Sequence, residues 1–271
     1  MKKFFKVLMV LLFVIAMSAC GSSSQKSSTQ SAKKTKEYVK EKDFSKVYAN
    51  PNKYKGKWIK ITGRVFNKQE SEDGISAFQM WGDVENSDWN TLVYYNEDNT
   101  SVSEDDYVTV DGEITGKYKG ENLIGSSMTA LMIEAKTLSV KSATDVLYPT
   151  LKTVTPQGSA QDQSGAVVTI NKIEFAETET RIYITVTNNS GADLSLYASS
   201  AKIVQGANQY DYQYNYDVDY PEISDDITNG VTISGVITFP AIDQSSFRLI
   251  IDAYSDNYDL NIDEYDINVN F

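Results

Sequence analysis

Apolar and polar residues alternate along several stretches of the chain, and this alternation predicts β-strands. The clearest stretches are Trp58–Val65 and Arg181–Thr187, in which every second side chain belongs on a buried face. In the second stretch, Ile182, Ile184 and Val186 are expected to point inward. The dominant pattern therefore predicts an all-β protein.

In the N-terminal half, the pattern predicts a short helix followed by five strands. The helix begins at Asp43, its predicted N-cap, and ends before Pro51. The predicted strands are Trp58–Val65, Ala77–Trp81, Thr91–Tyr95, Tyr107–Tyr118 and Met132–Val140. Five strands suit a small barrel, in which Gly63 and Gly112 are the predicted bulges or bends.

Seven further strands are predicted in the C-terminal half, separated by frequent turn residues. They are Val167–Phe175, Arg181–Thr187, Ala201–Val204, Tyr210–Tyr216, Gly230–Phe239, Ser246–Ala253 and Glu264–Phe271. Their number and spacing favour two packed sheets. Residues 141–165 are rich in turn residues and are predicted to be a linker.

Two sets of residues resemble known bacterial domains. The first set resembles the anticodon-binding-like OB-fold domain of bacterial lipoproteins, and consists of Tyr54-x-Gly56-Lys57, Ile59-x-Ile61-x-Gly63-x-Val65 and Tyr107-Val108-Thr109-Val110-x-Gly112. The second resembles an immunoglobulin-like domain of unknown function in Gram-positive lipoproteins, and consists of Thr185-Val186-Thr187-Asn188-x-Ser190, Gly230-x-x-x-x-Gly235 and Phe239-Pro240. These resemblances imply an OB-like five-stranded barrel at residues 43–140, followed by an immunoglobulin-like β-sandwich at residues 166–271. They imply no reaction.

The first nineteen residues have the features of an export signal. Lysines precede an apolar run at residues 7–16, which is too short to span a bilayer. Met17-Ser18-Ala19-Cys20 resembles the bacterial lipobox, which implies cleavage before Cys20 and a diacylglyceryl group on its thiol. Two acyl chains anchor a protein stably. The alternatives are an ordinary secretory signal or a buried free thiol.

Residues 20–42 are predicted to be a lipid-anchored flexible tether, because they are polar and lack apolar periodicity. We therefore expect the protein on the extracellular face of the cell membrane.

Charge is distributed unevenly along the chain. Residues 1–60 hold 14 lysines and 3 acidic residues, whereas residues 61–150 hold 6 basic and 16 acidic residues, and residues 151–271 hold 5 and 18. The basic stem either attracts anionic headgroups or wall polymers, or only aids solubility. The acidic barrel argues against nucleic acid as a partner, although four aromatic residues there offer rings for stacking bases. They are Phe78, Trp81, Tyr94 and Tyr95.

The chain has no histidine, and its single cysteine is the predicted lipid site. Ser-His-Asp, Cys-His and histidine-metal chemistry are therefore excluded. Hydrolysis by paired carboxylates remains possible, but the abundance of acidic residues makes this signal unspecific. We expect a protein that is not an enzyme and has no cofactor.

Two groups of residues are candidates for binding. Tyr210, Tyr212, Tyr214 and Tyr216 would share one face of a strand, where they either bind a sugar chain or partner protein, or pack on the core. Weak candidates for calcium are Asp217, Asp219, Asp225 and Asp226, whose spacing lacks the EF-hand pattern. A second acidic run follows at Asp252, Asp256, Asp259 and Asp263. The alternative is a solvated acidic surface.

The predicted function is non-catalytic binding at the bacterial cell envelope by a lipid-anchored lipoprotein, which acts as a binding or adaptor module. Its expected partners are the membrane, through the N-terminal lipid, and an envelope protein or wall polymer. One alternative is a calcium- or carbohydrate-dependent module that binds the cell wall. A second alternative is a carboxylate-based hydrolase.

Overall fold

The computed structural model describes residues 35–72, 75–95, 102–121 and 127–271, and these are predominantly β-structure, as the alternation predicts. Lys36–Phe271 form one compact unit. The predicted signal peptide, Cys20 and most of the predicted tether lie outside the described residues.

The first five strands form a closed barrel with the order β1-β2-β3-β5-β4, in which β4 pairs with β1. β3 and β5 run parallel, and the other neighbours are antiparallel. The strands are β1 Trp58–Glu72, β2 Ile75–Asp83, β3 Asp88–Tyr95, β4 Tyr107–Glu121 and β5 Ser127–Lys141. All five predicted strands are present. β1 and β5 are much longer than predicted, because polar residues beyond the apolar pattern also pair with a neighbouring strand.

A short helix, α1 (Phe44–Ala49), supplies Phe44 and Val47 to the barrel core. This confirms the predicted helix. Its predicted cap is wrong, because the Asp43 side chain makes no capping hydrogen bond. The Asp43 carboxylate instead accepts a hydrogen bond of 2.6 Å from Lys46 Nζ.

The two glycines predicted to bend the barrel strands have different roles. Gly112 lies at a register shift between β4 and β5, which confirms the bulge. Gly63 pairs regularly with Val108, and the irregularity of β1 falls between Val65 and Asn67 instead. A glycine is required at position 63 because a Cβ there would lie 2.6 Å from the backbone oxygen of Trp81.

The last residues of the predicted tether pack on the barrel. Tyr38 forms a parallel bridge with Trp58, and its hydroxyl donates to both carboxylate oxygens of Asp111 at 2.9 and 3.0 Å. Val39 packs against the barrel core, and a 3-10 helix follows at Glu41–Asp43. The tether prediction is therefore wrong for residues 37–42, because two isolated nonpolar side chains do not produce a periodic signal.

The remaining strands form two sheets. One has the order β13-β9-β8-β6, with β7 also pairing with β8, and the other has the order β11-β10-β14-β15, with β12 also pairing with β10. Helix α2 (Ala143–Leu147) precedes them. The strands are β6 Lys152–Val154, β7 Ala160–Gln163, β8 Ala166–Phe175, β9 Glu179–Asn188, β10 Leu194–Gln205, β11 Asn208–Asp211, β12 Asp226–Ile227, β13 Thr232–Pro240, β14 Phe247–Ser255 and β15 Tyr265–Val269. Because β6 and β7 fall within residues 141–165, much of the predicted linker belongs to a sheet.

The two sheets share one hydrophobic core. Ile182, Ile184 and Val186 are fully buried in it, as the alternation of β9 predicts. The Tyr265 hydroxyl donates to the backbone oxygen of Ala166 at 2.9 Å, so this buried ring carries no unpaired polar atom.

The strand predicted at Tyr210–Tyr216 is wrong beyond Asp211, where β11 ends. The backbone N–H of Tyr212 still donates to Ala201 in β10, but that of Gln213 donates to Thr238 in β13. The chain thus leaves one sheet for the other. The alternation of tyrosine with polar residues cannot show this crossing, because it is the same on both sides of Tyr212.

Gly112→Ala tests the bulge in β4. The new Cβ would lie 2.5 Å from the backbone oxygen of Glu134, so we expect the free energy of unfolding to fall by about 1–3 kcal/mol, as for other overpacked cores. Urea denaturation measures the change. Lys119→Ala, at an exposed position of the same strand, is the control. Equal stability of the two variants would contradict the close approach.

Candidate binding surfaces

The tyrosine segment Tyr210–Tyr216 does not display four rings on one face. Tyr210 and Tyr212 are partly buried against the core of the two sheets. Tyr214 is 43% exposed and Tyr216 is 90% exposed. Their rings meet edge to face, with centroids 4.8 Å apart. We call Tyr214 and Tyr216 the tyrosine platform.

Asn215 holds the backbone between the two rings of the platform. Its side-chain nitrogen donates to Glu179 Oε2 at 2.7 Å. Its side-chain oxygen accepts from the backbone N–H groups of Asp217 and Val218 at 2.8 and 3.2 Å. Because Asn215 is directed inward, the neighbouring tyrosines are directed outward on a fixed turn.

Glu179 in turn depends on Arg181, which is completely buried. Arg181 Nη1 donates to Glu179 Oε1 at 2.8 Å, and its Nε donates to Glu174 Oε2 at 3.1 Å. The Tyr220 hydroxyl donates to Glu179 Oε1 at 2.6 Å. Burial of a charge is tolerated only when it is paired and hydrogen-bonded, and Arg181 satisfies both conditions.

Arg181 also binds the segment that follows α2. Its Nη1 donates to the backbone oxygen of Tyr148 at 2.9 Å, and its Nη2 donates to Thr150 Oγ1 at 2.7 Å. Sequence reasoning did not find this network, because Arg181 falls on the face of β9 that alternation assigns to solvent. The available signal was the pair Glu179 and Arg181, two residues apart on one strand.

A cavity of about 270 Å³ lies beside the tyrosine platform. Tyr148 and Asp217 line it, and the Tyr148 hydroxyl donates to Asp217 Oδ2 at 2.6 Å. This hydrogen bond raises the pKa of Tyr148 to about 12, so the hydroxyl is protonated at neutral pH. The cavity therefore combines aromatic rings with carboxylate and amide groups, which suits a neutral or cationic ligand.

The acidic residues predicted as weak calcium ligands do not converge. Asp217 accepts from Tyr148, Asp226 accepts from Ser195 Oγ at 3.2 Å, and Asp219 and Asp225 are exposed. In the part of the chain that the structure describes, no three side chains of the histidine, cysteine, aspartate or glutamate type are placed to hold a metal ion. Calcium binding stays an untested prediction.

A second candidate surface lies on the outside of β1, β2 and β3. The rings of Phe66 and Trp81 stack there, with centroids 4.0 Å apart and planes 19° apart. Asn67 Nδ2 donates to Gln79 Oε1 at 3.2 Å, and Gln79 Nε2 donates to Asn90 Oδ1 at 3.3 Å. We call these five residues the aromatic–amide face.

The four aromatic residues considered for base stacking are divided between the two sides of the barrel wall. Phe78 is buried in the barrel core, and Tyr95 packs against that core. Trp81 lies in the aromatic–amide face, and Tyr94 packs over Ala77 and its neighbours outside the core. Alternation along the strands explains the division, because Phe78 and Trp81 are three positions apart in β2, and Tyr94 and Tyr95 are adjacent in β3.

Comparisons with known proteins assign the chain no activity. Residues 16–149 match the family model described as the DUF1980 C-terminal domain, which spans the barrel. A solved structure described as a functionally unknown protein from Listeria monocytogenes EGD-e is similar with 11% identity and a TM-score of 0.36, over 47% of this chain and 92% of that chain. No curated protein matches the chain. Among the described residues, no helix has the length and apolar character needed to cross a membrane.

Arg181→Met tests the buried network. Removing the guanidinium leaves Glu179 and Glu174 without their buried cation, so we expect a loss of about 3–5 kcal/mol in the free energy of unfolding. Arg248→Met is the control, because Arg248 pairs with Asp266 at the surface, where such a pair contributes about 1 kcal/mol or less. Denaturant unfolding measures both changes. Similar losses in both variants would show that Arg181 has no special role.

Proposed function

We propose that this protein is a lipid-anchored extracellular lipoprotein that binds a partner at the bacterial cell envelope without catalysis, through the tyrosine platform. The observation that carries the proposal is the 90% exposure of Tyr216 on a turn that Asn215 and Glu179 fix. A large ring held in place gives contact area at a low cost in conformational entropy. The lipobox-like Cys20 supports the location.

The strand topology supports assigning the barrel and the two sheets to two fold classes that commonly serve as binding scaffolds. We assign the barrel to the OB-like class, because its five strands close in the order β1-β2-β3-β5-β4 with β3 parallel to β5. We assign the two sheets with their common core to the immunoglobulin-like class. In both classes, function lies in surface sites rather than in the fold itself.

The surroundings of the tyrosine platform favour a basic protein as the partner. Residues 151–271 hold 5 basic and 18 acidic residues, and Asp217 lies in the adjoining cavity. Acidic surroundings repel an anionic polymer and attract lysine or arginine, which also bind the face of a tyrosine ring. Both oxygens of Glu179 already accept hydrogen bonds, so this carboxylate supports binding better than hydrolysis.

A second candidate function is the binding of a neutral glycan at the aromatic–amide face. This face combines a stacked pair of rings with three side-chain amides, and none of its five residues is charged. Aromatic faces and a few placed polar groups are the usual means by which a site orients an uncharged ligand. OB-like barrels bind oligosaccharides through the same strands.

Replacing both platform tyrosines tests the first candidate. Immobilised protein with Tyr214→Ala and Tyr216→Ala should retain at least tenfold less of a basic protein from solubilised envelope, because the contact area is lost. Tyr258→Ala is the matched control, since Tyr258 is 95% exposed elsewhere in the same half of the chain. Mass spectrometry identifies and quantifies the retained protein. Equal retention by the double variant and the wild type would refute the proposal.

Titration with soluble neutral wall glycan tests the second candidate. Binding should change the tryptophan fluorescence of the wild type, and Trp81→Ala should weaken binding about tenfold, because the stacked pair is broken. Calorimetry measures the affinity of the variant, because Trp81→Ala removes the tryptophan whose fluorescence reports binding. Tyr254→Ala, which removes a half-exposed ring outside the barrel, is the control. Unchanged affinity in Trp81→Ala would exclude the aromatic–amide face.

A further inference from the structure

The described chain contains a basic region that precedes an acidic body. Residues 38–58 hold six lysines and two acidic residues, whereas the whole chain has a formal net charge of −12. The segment begins at Tyr38 and ends at Trp58, the first residue of β1, and these two residues form a bridge with each other. The six lysines therefore lie on one loop whose two ends are paired with each other, and we call it the excursion.

The excursion is built on the barrel rather than free in solution. Its helix α1 buries Phe44 and Val47 in the barrel core. Its last turn is fixed to β4, because the N–H of Gly56 donates to Ile114 and the N–H of Ile114 donates to Lys57, both at 2.8 Å. The backbone that carries the lysines is therefore held against the barrel.

Two of the six lysines are already neutralised. Lys46 pairs with Asp43 at 2.6 Å, and Lys57 pairs with Glu37 at 2.7 Å. Four exposed lysines make no ion pair with any residue in the described ranges, and we call them the basic end: Lys40, Lys42, Lys53 and Lys55. Positive charges that a fold leaves exposed and unpaired on one short segment are available to an external anion.

We propose that the basic end docks on the anionic phospholipid headgroups of the membrane. Each lysine near an anionic bilayer surface strengthens binding by about fivefold, an attraction that extends about one Debye length, roughly 8 Å at physiological salt. The acidic remainder of the protein is repelled by the same surface. The opposing charges thus orient the protein with the basic end toward the lipid.

The position of the basic end along the chain favours lipid over a wall polymer. Only fourteen residues lie between Cys20 and Thr35, so a lipid on Cys20 would keep this end within about 50 Å of the bilayer. Anchoring at Cys20 belongs to the proposed function, but the charge argument stands without it. The tyrosine platform takes no part in this docking.

Vesicle binding by residues 36–271 tests the proposal, because this unit contains both hydrophobic cores and carries no lipid. The wild type should bind vesicles of phosphatidylglycerol and phosphatidylcholine in 0.1 M salt, and should not bind phosphatidylcholine alone. Binding should be lost in 0.5 M salt. Equal binding to the two kinds of vesicle, or none to either, would overturn the proposal.

Two double variants with the same change in net charge locate the binding surface. Lys53→Gln with Lys55→Gln should weaken vesicle binding about twenty-fivefold, since two lysines are lost. Lys152→Gln with Lys202→Gln, in the two sheets, should change it less than twofold. Equal weakening would mean that binding is diffuse and not at the basic end. Equal unfolding temperatures show that all variants are folded.

Two further measurements separate this proposal from its neighbours. Soluble polyglycerol phosphate that displaces the protein from vesicles at equal phosphate concentration would assign the basic end to a wall polymer and overturn docking on lipid. Tyr214→Ala with Tyr216→Ala should leave vesicle binding unchanged. Loss of vesicle binding in that variant would place the lipid contact on the platform instead.

Discussion

The buried guanidinium of Arg181 is the interaction on which the position of the tyrosine platform depends. It neutralises Glu174 and Glu179 on one side and binds the backbone of Tyr148 on the other. Glu179 then holds Asn215, and Asn215 fixes the turn that displays the tyrosine platform. The exposed rings of the tyrosine platform, the proposed binding surface, are therefore supported by a fully buried charge.

This arrangement would couple the stability of the fold to the proposed recognition of a partner. An exposed loop that carries aromatic rings would ordinarily move, and ordering it would cost free energy at the moment of binding. Here that cost is met during folding, because the turn is tied to a buried ion pair. Tyr148 extends the same support, since its backbone accepts from Arg181 and its hydroxyl donates to Asp217 beside the cavity.

The sequence predicted the strands well and the surfaces poorly, for physical reasons. Alternation reports burial on one face, so Ile182 and Ile184 were placed correctly in the core. It cannot report that the opposite face is also covered, and so Arg181 was assigned to solvent. Likewise, the alternation of tyrosine with polar residues does not show where the chain passes from one sheet to the other. It therefore does not predict that Tyr210 and Tyr214 have different surroundings. Phe66 stacks on Trp81 at the register shift between Val65 and Asn67, and no residue type in the sequence predicts a bulge there.

The bridge between Tyr38 and Trp58 has a mechanical consequence. If the protein is anchored at its N-terminus as proposed, a pull on the chain acts first on this bridge and on the ion pair of Lys57 with Glu37. Both involve half-buried or exposed side chains, and only Val39 in this segment packs against the barrel core, so we expect the segment to detach before the strands separate. Detaching residues 36–42 would lengthen the tether by about 24 Å at 3.3–3.6 Å per residue. In an anchored protein, the packed segment would therefore provide a reserve of chain length that extends the reach under load while the barrel stays folded.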